Sequence, residues 1–569
     1  MPLDGLTIHV LVNELKPLLK NGRVLKIYQP EEATITMQLR VPGTTYTLLI
    51  SADPVYPRLH LVEDQLPNPQ TPPSFCMLLR KYLEPSRLLS IEQRGFDRVV
   101  RLRFEALDEL GRPAELSLIF EVMSRQSNLY LVDAKDVIID ALKRSPGRDI
   151  LPGRAYQAPP DQGKLEPTAL EAGAFLDELR LLPVQTKVWR WLADSFQGLS
   201  TTAAQEVLHR AGLPPEATRG ELAEADWYLV QQAWQNLLEE IASGGTPRYY
   251  PALDDFTAYT LSGQAGEPYP SVNSLVAQVL MERQRTKELT EAKGTLRRRV
   301  AQHLKRLSKK EAIHQLALQQ AERAALLRHQ GELLTAYFHL IPPGAEKVQV
   351  PDYLQGGQLV TIELDPRLSP SANVQRIFKR YHKAKASQKH SEELLAGVLE
   401  EKQYLESVLL QIEQADSLAI LQDTEGELRR LGYLEAKTAK AKTRPAPSGP
   451  DRYVSPDGFT VLVGRNNQQN DELTFKLASP NHLWLHARGT PGSHVAILAE
   501  GAIPEETLRF AAQLAAYYSA QRRSPKAEVD YTLRKYVRKP KGAKPGFVHY
   551  ERAKTIVVDP TKFTPPPKH

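Results

Sequence analysis

Two long stretches of the chain carry apolar residues at helical, seven-residue spacing, and a short run of period-two alternation separates them. In the first, Leu289, Leu296, Val300, Leu304 and Leu307 recur at steps of seven, four and three. In the second, Leu394, Val398, Leu405, Val408, Ile412, Ala415 and Ala419 keep the four-three alternation of a coiled-coil seam, with Glu, Gln and Lys between them. Pro342, Pro343 and Gly344 stop the first stretch, and the strand-like runs KVQV and QLVTIEL follow, split by Pro351, Gly356 and Gly357. The pattern predicts a helical hairpin over 271–432 with a small β tip at about 341–370. At 1.5 Å per residue an arm of roughly sixty residues reaches about 90 Å. A dimerisation rod is the competing outcome. Against it, two tracts joined by a short insert can satisfy each other within one chain.

The arms are basic. Arg297, Arg298, Arg299, Lys305, Arg306, Lys309 and Lys310 crowd one, and Arg376, Lys379, Arg380, Lys383, Lys385 and Lys389 the other. Both clusters are expected nearer the insert than the roots, as a lever laid on something large and anionic requires.

Residues 1–160 read as mixed α and β. A helix from Leu6 to Lys20 ends at Asn21-Gly22, and the runs RVLKIYQ, ATITMQLRV, TYTLLIS and RLHLVE read as a strand meander. PPSFCMLLRKYL is a helix opened by prolines. In GFDRVVRLRFEAL, Val100, Leu102 and Phe104 share one face of a strand and Arg101 and Arg103 the other, with Asp97 and Arg98 at its mouth. LSLIFEVM and NLYLVD are further strands. The segment 165–265 is helical. Trp189–Phe196, the turn Gln197-Gly198-Leu199 and a helix opening at Ser200 or Thr201 have the outline of a helix-hairpin-helix, whose turn amides can hold a phosphate, or of a plain helical pair. After the arm, 433–450 is a charged, proline-containing linker. The last part, 451–569, has strands around FTVLVGR, LTFKLA, SHVAILA, VDYTLRKYV and FVHYERAKTIVV and a helix from Pro504 to Ser519. The fold class is therefore α+β and multidomain.

Charge changes this picture locally more than globally. The excess of 73 Lys and Arg over 67 Asp and Glu is small for 569 residues. Between Arg534 and Lys554, however, eight basic residues meet one acid, Glu551, with Tyr531, Tyr536, Phe547 and Tyr550 interleaved. Basic groups neutralise phosphates and flat rings stack on bases, the combination expected for RNA; a solvated basic face is the alternative. The candidate contacts are Arg488, Arg534, Lys535, Arg538, Lys539, Lys541 and Lys544 here, and Arg376, Lys379, Arg380 and Lys383 on the arm. The loop KPKGAKPG holds its lysines on a backbone restrained by two glycines and two prolines.

One cysteine, Cys76, excludes an internal disulfide and suits a reducing compartment. MPLDGLTIHV lacks a basic segment followed by an apolar one, and nowhere do eighteen apolar residues run together, so a soluble cytoplasmic protein away from membranes is expected. The fourteen histidines show no paired ligand spacing; no metal, cofactor or nucleotide-driven cycle is expected.

Seven motifs, in order, resemble the NFACT family: DGL near the start, FDR at 96–98, MSRQSNLYLVD at 123–133, LPGRAY at 151–156, SANVQRIFKRYHKAK at 371–385, WLHARGTPGSHV at 484–495 and VRKPKGAKPGFVHY at 537–550. The resemblance implies an NFACT-N domain, a helix-hairpin-helix region, a coiled-coil arm with a middle tip and an NFACT-R domain. For RqcH-like members it also implies a factor of ribosome-associated quality control. Such a factor binds the large ribosomal subunit left with peptidyl-tRNA, through rRNA and a stalk-base protein near the arm's tip. It recruits alanyl-tRNA for alanine tailing of the nascent chain, and RqcP is a candidate helper. Peptide bonds would be made by the ribosome, so the chain itself is not expected to be an enzyme. From spacing alone an ordinary exposed ion pair is the better explanation of Asp97 and Arg98; the resemblance reverses that, since they match the family's Asp-Arg pair, associated with tRNA handling.

Three other functions compete. Pro2, once exposed, could form a Schiff base as in formamidopyrimidine-DNA glycosylases, but Leu3 stands where those enzymes carry glutamate, Asp4 is displaced by one residue, and one cysteine cannot build their zinc finger. A fibronectin-binding adhesin lacks an export signal here. A ribosome- or RNA-binding protein that does not tail fits every basic feature.

Overall fold

The computed structural model describes residues 3–63, 66–107, 112–145, 150–160, 162–321, 323–435 and 449–568. Pro2 lies outside them, as does most of the expected linker. The chain is a mixed α+β multidomain protein that divides into two compact units between Lys287 and Glu288.

In the first unit, helix α1 (Gly5–Leu19) starts at Asp4, whose carboxylate accepts from the Thr7 amide at 2.8 Å. Strands β1 (Arg23–Glu31), β2 (Thr34–Val41), β3 (Thr44–Ser51) and β4 (Arg58–Val62) form a meander. After helix α2 (Ser74–Leu83) come β5 (Arg87–Gln93), β6 (Val99–Leu107), β7 (Pro113–Glu121), β8 (Asn128–Val132) and β9 (Ile138–Ala141). Together they make one antiparallel nine-stranded sheet in the order β4-β3-β2-β1-β5-β6-β7-β8-β9. Two of these strands, β5 and β9, carry no clear period-two signal. A bulge between Leu88 and Ser90 places two leucines in succession and breaks the alternation of β5, and β9 is four residues long beside another bulge in β8. One face of the sheet, with α1 and α2, forms the main core; Cys76 lies there, fully buried. His60, equally buried, donates from Nδ1 to the Leu61 carbonyl at 3.0 Å, while its Nε2 has no partner among the described residues.

Four helices extend this core: α3 (Ala172–Leu181), α4 (Val188–Ser195), α5 (Thr201–Arg210) and α6 (Glu224–Ala242). Phe175, Trp191, Phe196 and Trp234 meet there edge-on or stacked. Short strands β10 (Arg248–Tyr250), β11 (Asp255–Thr257) and β12 (Glu267–Pro268) close the region. The helix that follows, α7 (Val272–Ala321), starts against α1, where the Glu14 carboxylate accepts from the amides of Val272 and Asn273 at 2.7 and 2.9 Å. Burial pushes that carboxyl above its usual range.

In the second unit, α7 and α9 (Pro370–Gln414) run antiparallel. Lys293 reaches the Glu413 carbonyl at 3.0 Å, and Lys402 pairs with Glu311 at 2.9 Å. Between them come α8 (Arg323–Ala336) and a β-hairpin, β13 (Lys347–Asp352) with β14 (Gln358–Glu363). Pro351 lies inside β13, opposite Leu359, rather than dividing two runs. Gly331 of α8 is seated under the Phe378 ring, where an added Cβ would come within 2.9 Å of the ring.

Two expectations for the arm are corrected. The seam does not run on through Ala419: α9 ends at Gln414 and α10 (Leu418–Arg430) starts afresh. The buried Arg465 guanidinium takes the Gln414 carbonyl at 2.8 Å, pairs with Asp416 and Asp451 at 3.2 and 2.8 Å, and lies 4.1 Å from the Tyr518 ring centre. Leu394, expected in the seam, is exposed. Nor do both basic clusters lie toward the tip. Leu296, Val300 and Leu307 share a core with Leu405, Val408, Ile412, Ile420 and Leu428, so the stretch 297–310 adjoins the far end of α9; only the 376–389 cluster follows the β-hairpin closely.

The chain ends in an antiparallel sheet built of β15 (Asp451–Val454), β16 (Thr460–Val463), β17 (Leu483–Ala487), β18 (Val495–Ile497), β19 (Ala527–Leu533) and β22 (Lys554–Val558), in the order β15-β16-β18-β17-β19-β22. Helix α12 (Glu505–Tyr517) packs on it, and β20 (Val537–Arg538) and β21 (His549–Tyr550) form a separate pair. LTFKLA is not a strand. Asn466 caps helix α11 (Asn467–Glu472), and Leu473–Leu477 continue it as a wide turn closed by the Ala478 amide on the Leu473 carbonyl. The cap won over the residues' alternation.

Candidate functional site

Asp97 and Arg98 sit on the turn between β5 and β6, and three separate parts of the first unit hold that turn. Gly95 has a left-handed backbone (φ +54), and Arg94 and Asp97 close on each other through the Asp97 amide at 2.9 Å. The Asp97 carboxylate accepts from the Arg98 amide at 2.7 Å; the Arg98 carbonyl accepts from Val122, and the guanidinium approaches the Met123 sulfur at 3.8 Å. Both side chains are half-buried.

From α1, His9 stacks on Phe96 with ring centres 4.3 Å apart. Gln93 links the helix to the turn: its Nε2 donates to the carbonyls of Gly5 at 2.9 Å and Asp97 at 2.8 Å, and its Oε1 faces His9 Nδ1 at 3.1 Å. Burial pushes the His9 pKa down, favouring the neutral ring. From the α4–α5 connection comes Gly198. A Cβ there would stand 2.4 Å from the Phe96 carbonyl oxygen, and one on Gly5 only 2.0 Å from the same atom. Nothing but glycine fits at either position.

The Gln197-Gly198-Leu199 turn is therefore spent on packing. Ser200 caps α5 through the Ala203 amide and donates to Asp4 at 2.8 Å; the Tyr259 hydroxyl reaches the same carboxylate at 3.2 Å. A carboxylate beside that helix start opposes a phosphate, which favours the plain helical pair over an anion-holding turn. Leu3 is buried and Asp4 is bound at both oxygens, so neither resembles a free acid-base group.

Behind the turn, two of the sequence motifs meet. The fully buried Glu121 accepts from the hydroxyls of Tyr130 and Tyr156, each at 3.0 Å, and Arg101 forks onto Asp136 at 2.7 and 3.2 Å. Burial and the adjacent carboxylate push the Tyr156 hydroxyl far up, so it stays a donor.

The basic residues of the second unit do not act as one cluster. Asp471 holds the loop 539–546 at both ends, pairing with Lys539 and accepting the Gly546 amide at 3.0 Å. Arg538 and Lys541 remain exposed, with Lys541 next to Gly542, which has φ +82. Lys544 turns inward: its ammonium bonds the Tyr433 hydroxyl and lies 4.7 Å from the Tyr404 ring centre, and burial lowers its pKa. Arg534 donates to the Thr474 carbonyl at 2.7 Å and covers Phe475; Lys535 nears Asn481 at 3.4 Å. Arg488 is exposed beside Glu528 and Asp530, at 3.5 and 3.9 Å. On α9, Arg376 pairs with Asp365 at 3.2 Å, while Lys379, Arg380 and Lys383 are exposed. Asp471, Tyr404, His9 and Gln93 carry no motif of their own. Only the glycine-proline loop hinted that something must clamp it.

His486 and His494 surround Trp484 and stay uncharged: burial lowers His486 to about 4 and holds His494 well below the usual histidine range, and His494 Nδ1 meets Thr474 Oγ1 at 2.8 Å. Among the described residues no group of three or more His, Cys, Asp or Glu could hold a metal ion, and no helix is long and apolar enough to cross a membrane.

Residues 4–447 match the family model for NFACT N-terminal and middle domains, and residues 451–551 that for the NFACT protein RNA binding domain. The chain is 34% identical over 574 residues to the Rqc2 homolog RqcH of Bacillus subtilis, covering 99% of both. It is 33% identical over 136 residues to the human ribosome quality control complex subunit NEMF, 24% of this chain and 12% of that one. Among solved structures, the C-terminal part of the fibronectin/fibrinogen-binding protein from Streptococcus suis is 36% identical, covering 48% of this chain and 96% of that one with a TM-score of 0.39. The chain thus belongs to the NFACT family, with the N-terminal and middle domains followed by the family's RNA-binding domain.

Proposed function

We propose that the chain is a cytoplasmic ribosome-associated quality control factor. It binds large ribosomal subunits that carry peptidyl-tRNA and recruits alanyl-tRNA, so that the ribosome appends alanines to the stalled chain without mRNA. Peptide bonds form in the ribosome's own centre; the chain supplies binding and placement. Likeness to RqcH across 99% of both chains is the observation that carries this.

The Asp97–Arg98 turn is the proposed tRNA contact. An arginine fork makes paired contacts to phosphate or a base edge, and a neighbouring carboxylate accepts from a base amino group. Both need fixed positions, and a turn packed against Gly5, His9 and Gly198 provides them. The exposed cations of the 376–389 cluster and the C-terminal loop are assigned to rRNA, and a stalk-base protein to the arm's tip.

The test is to isolate large subunits through an affinity tag on this protein and sequence the bound tRNA. Enrichment of alanine tRNA, lost together with alanine tails on a stalled reporter in Asp97→Ala with Arg98→Ala, is expected. Subunits recovered without tRNA enrichment would leave a docking protein that does not tail.

A further inference from the structure

Three arginines cross the outer face of the first unit's sheet side by side. Residues paired across neighbouring strands point to the same face. The register sets Arg40 of β2 opposite Arg23 of β1, and Arg23 opposite Arg87 of β5. Around the second pair the ladder bonds run from Leu88 N to Gly22 O and from Val24 N to Ser86 O. Arg23 and Arg87 are thus a pair without mutual hydrogen bonds, the kind whose Cα atoms stand about 4.5 Å apart with side chains closest. Lys26, opposite Gln38, continues the same face beyond a bulge. All four side chains are exposed.

Like charges placed directly opposite each other destabilise a sheet, and this face does little to neutralise them. Glu92 and Glu115 flank Arg103 instead, at 3.7 and 3.4 Å. Glu105 stands opposite Arg87 in register, yet among the described residues no carboxylate forms an ion pair with Arg23, Arg40 or Arg87. Among the described residues the Arg40 guanidinium meets the Thr45 hydroxyl, at 3.0 Å.

We propose that this row binds the phosphate backbone of RNA. Strands lie about 4.8 Å apart, so the row spans about 10 Å across the sheet. A nucleic-acid strand repeats its charge every few ångströms, so it brings two or three phosphates to such a row at once, and each phosphate can take an arginine fork. The sheet fixes the register from which the three side chains extend, so their spacing is set before binding. Dissolved ions screen the mutual repulsion of three exposed cations in part, and an occupant with several negative charges relieves it more fully. This site is separate from Asp97 and Arg98 and does not depend on their handling tRNA.

The experiment measures binding of the full chain to a short blunt RNA duplex across a range of salt. Arg23→Gln with Arg40→Gln and Arg87→Gln should flatten the log–log salt slope by about 2 to 3; Arg23→Gln alone should flatten it by about 1, and the three lysine replacements should restore it. Asp97→Ala with Arg98→Ala should retain the contribution of the row, which separates failure of this site from failure of the tRNA contact. An unchanged slope in both glutamine variants overturns the proposal. So does polyglutamate bound with the same dependence on the three arginines, which would assign the row to an acidic protein surface.

Discussion

The Asp471 carboxylate accepts the Gly546 amide at 3.0 Å while it also holds Lys539, so one side chain closes the loop that presents Lys541. Loop order and loop charge can therefore be separated. Asp471→Asn should weaken RNA binding through lost order while leaving the salt slope within error of the parent. Lys541→Ala should flatten the slope by about 0.7 to 0.9, one phosphate contact. Binding titrations over a salt series check both; equal slope changes in the two variants would mean that the clamp sets how many of the loop's cations reach phosphate.

Gly198 has φ +77 and no room for a methyl group beside the Phe96 carbonyl. Gly198→Ala should cost about 1 to 3 kcal/mol from strain and displace the Phe96–Arg98 turn. Urea unfolding gives the first quantity. Tailing of a stalled reporter gives the second, expected to be lost at temperatures where the variant remains folded.

Buried Arg465 supports the junction of α9 and α10 and the start of β15. Arg465→Met strips the Gln414 carbonyl of its donor, while Lys568 still pairs with Asp416 and Asp451 at 2.7 and 2.9 Å, so the expected cost is about 1 to 3 kcal/mol. The check is the denaturant midpoint of the second unit, against which exposed Arg380→Met should be neutral.

His60 predicts an acid limit. Its pKa falls from 6.5 to about 4, first because burial penalises the cation, and a proton added at Nε2 would find no acceptor. Between these values the unfolded chain binds more protons than the folded one. Stability is thus full above pH 6.5 and falls as pH drops toward 4, by on the order of 3 kcal/mol. His60→Asn, which keeps a donor for the Leu61 carbonyl, should narrow the difference in unfolding free energy between pH 7 and acid.

Much of this was legible in the residues. The long arm, the meander and the strand bearing Arg101 and Arg103 follow from periodicity, because one face of each must be buried. What escaped has identifiable causes. Bulges hide β5 and β9; a capped asparagine run turns LTFKLA into helix; and Arg465, distant in sequence, ends α9 where the apolar spacing would have continued it. The motif at 96–98 could be seen, but not its mounting on Gly5, His9 and Gly198, which are separated from it by most of a domain. Lys544 read as one basic residue among eight; its partners Tyr404 and Tyr433 lie more than a hundred residues upstream.

The Phe378 ring seated over Gly331 acts as an index mark between α8 and α9. Smooth apolar contact alone lets two helices creep past one another, but a ring in a notch one residue wide does not: a step either way leaves the notch empty and drives the ring into Gln330 or Glu332. Length can thus be added to both helices on the far side of this mark without altering the alignment of the hairpin beyond it, whereas a one-residue insertion between Gly331 and the hairpin would rotate the tip by about 100°.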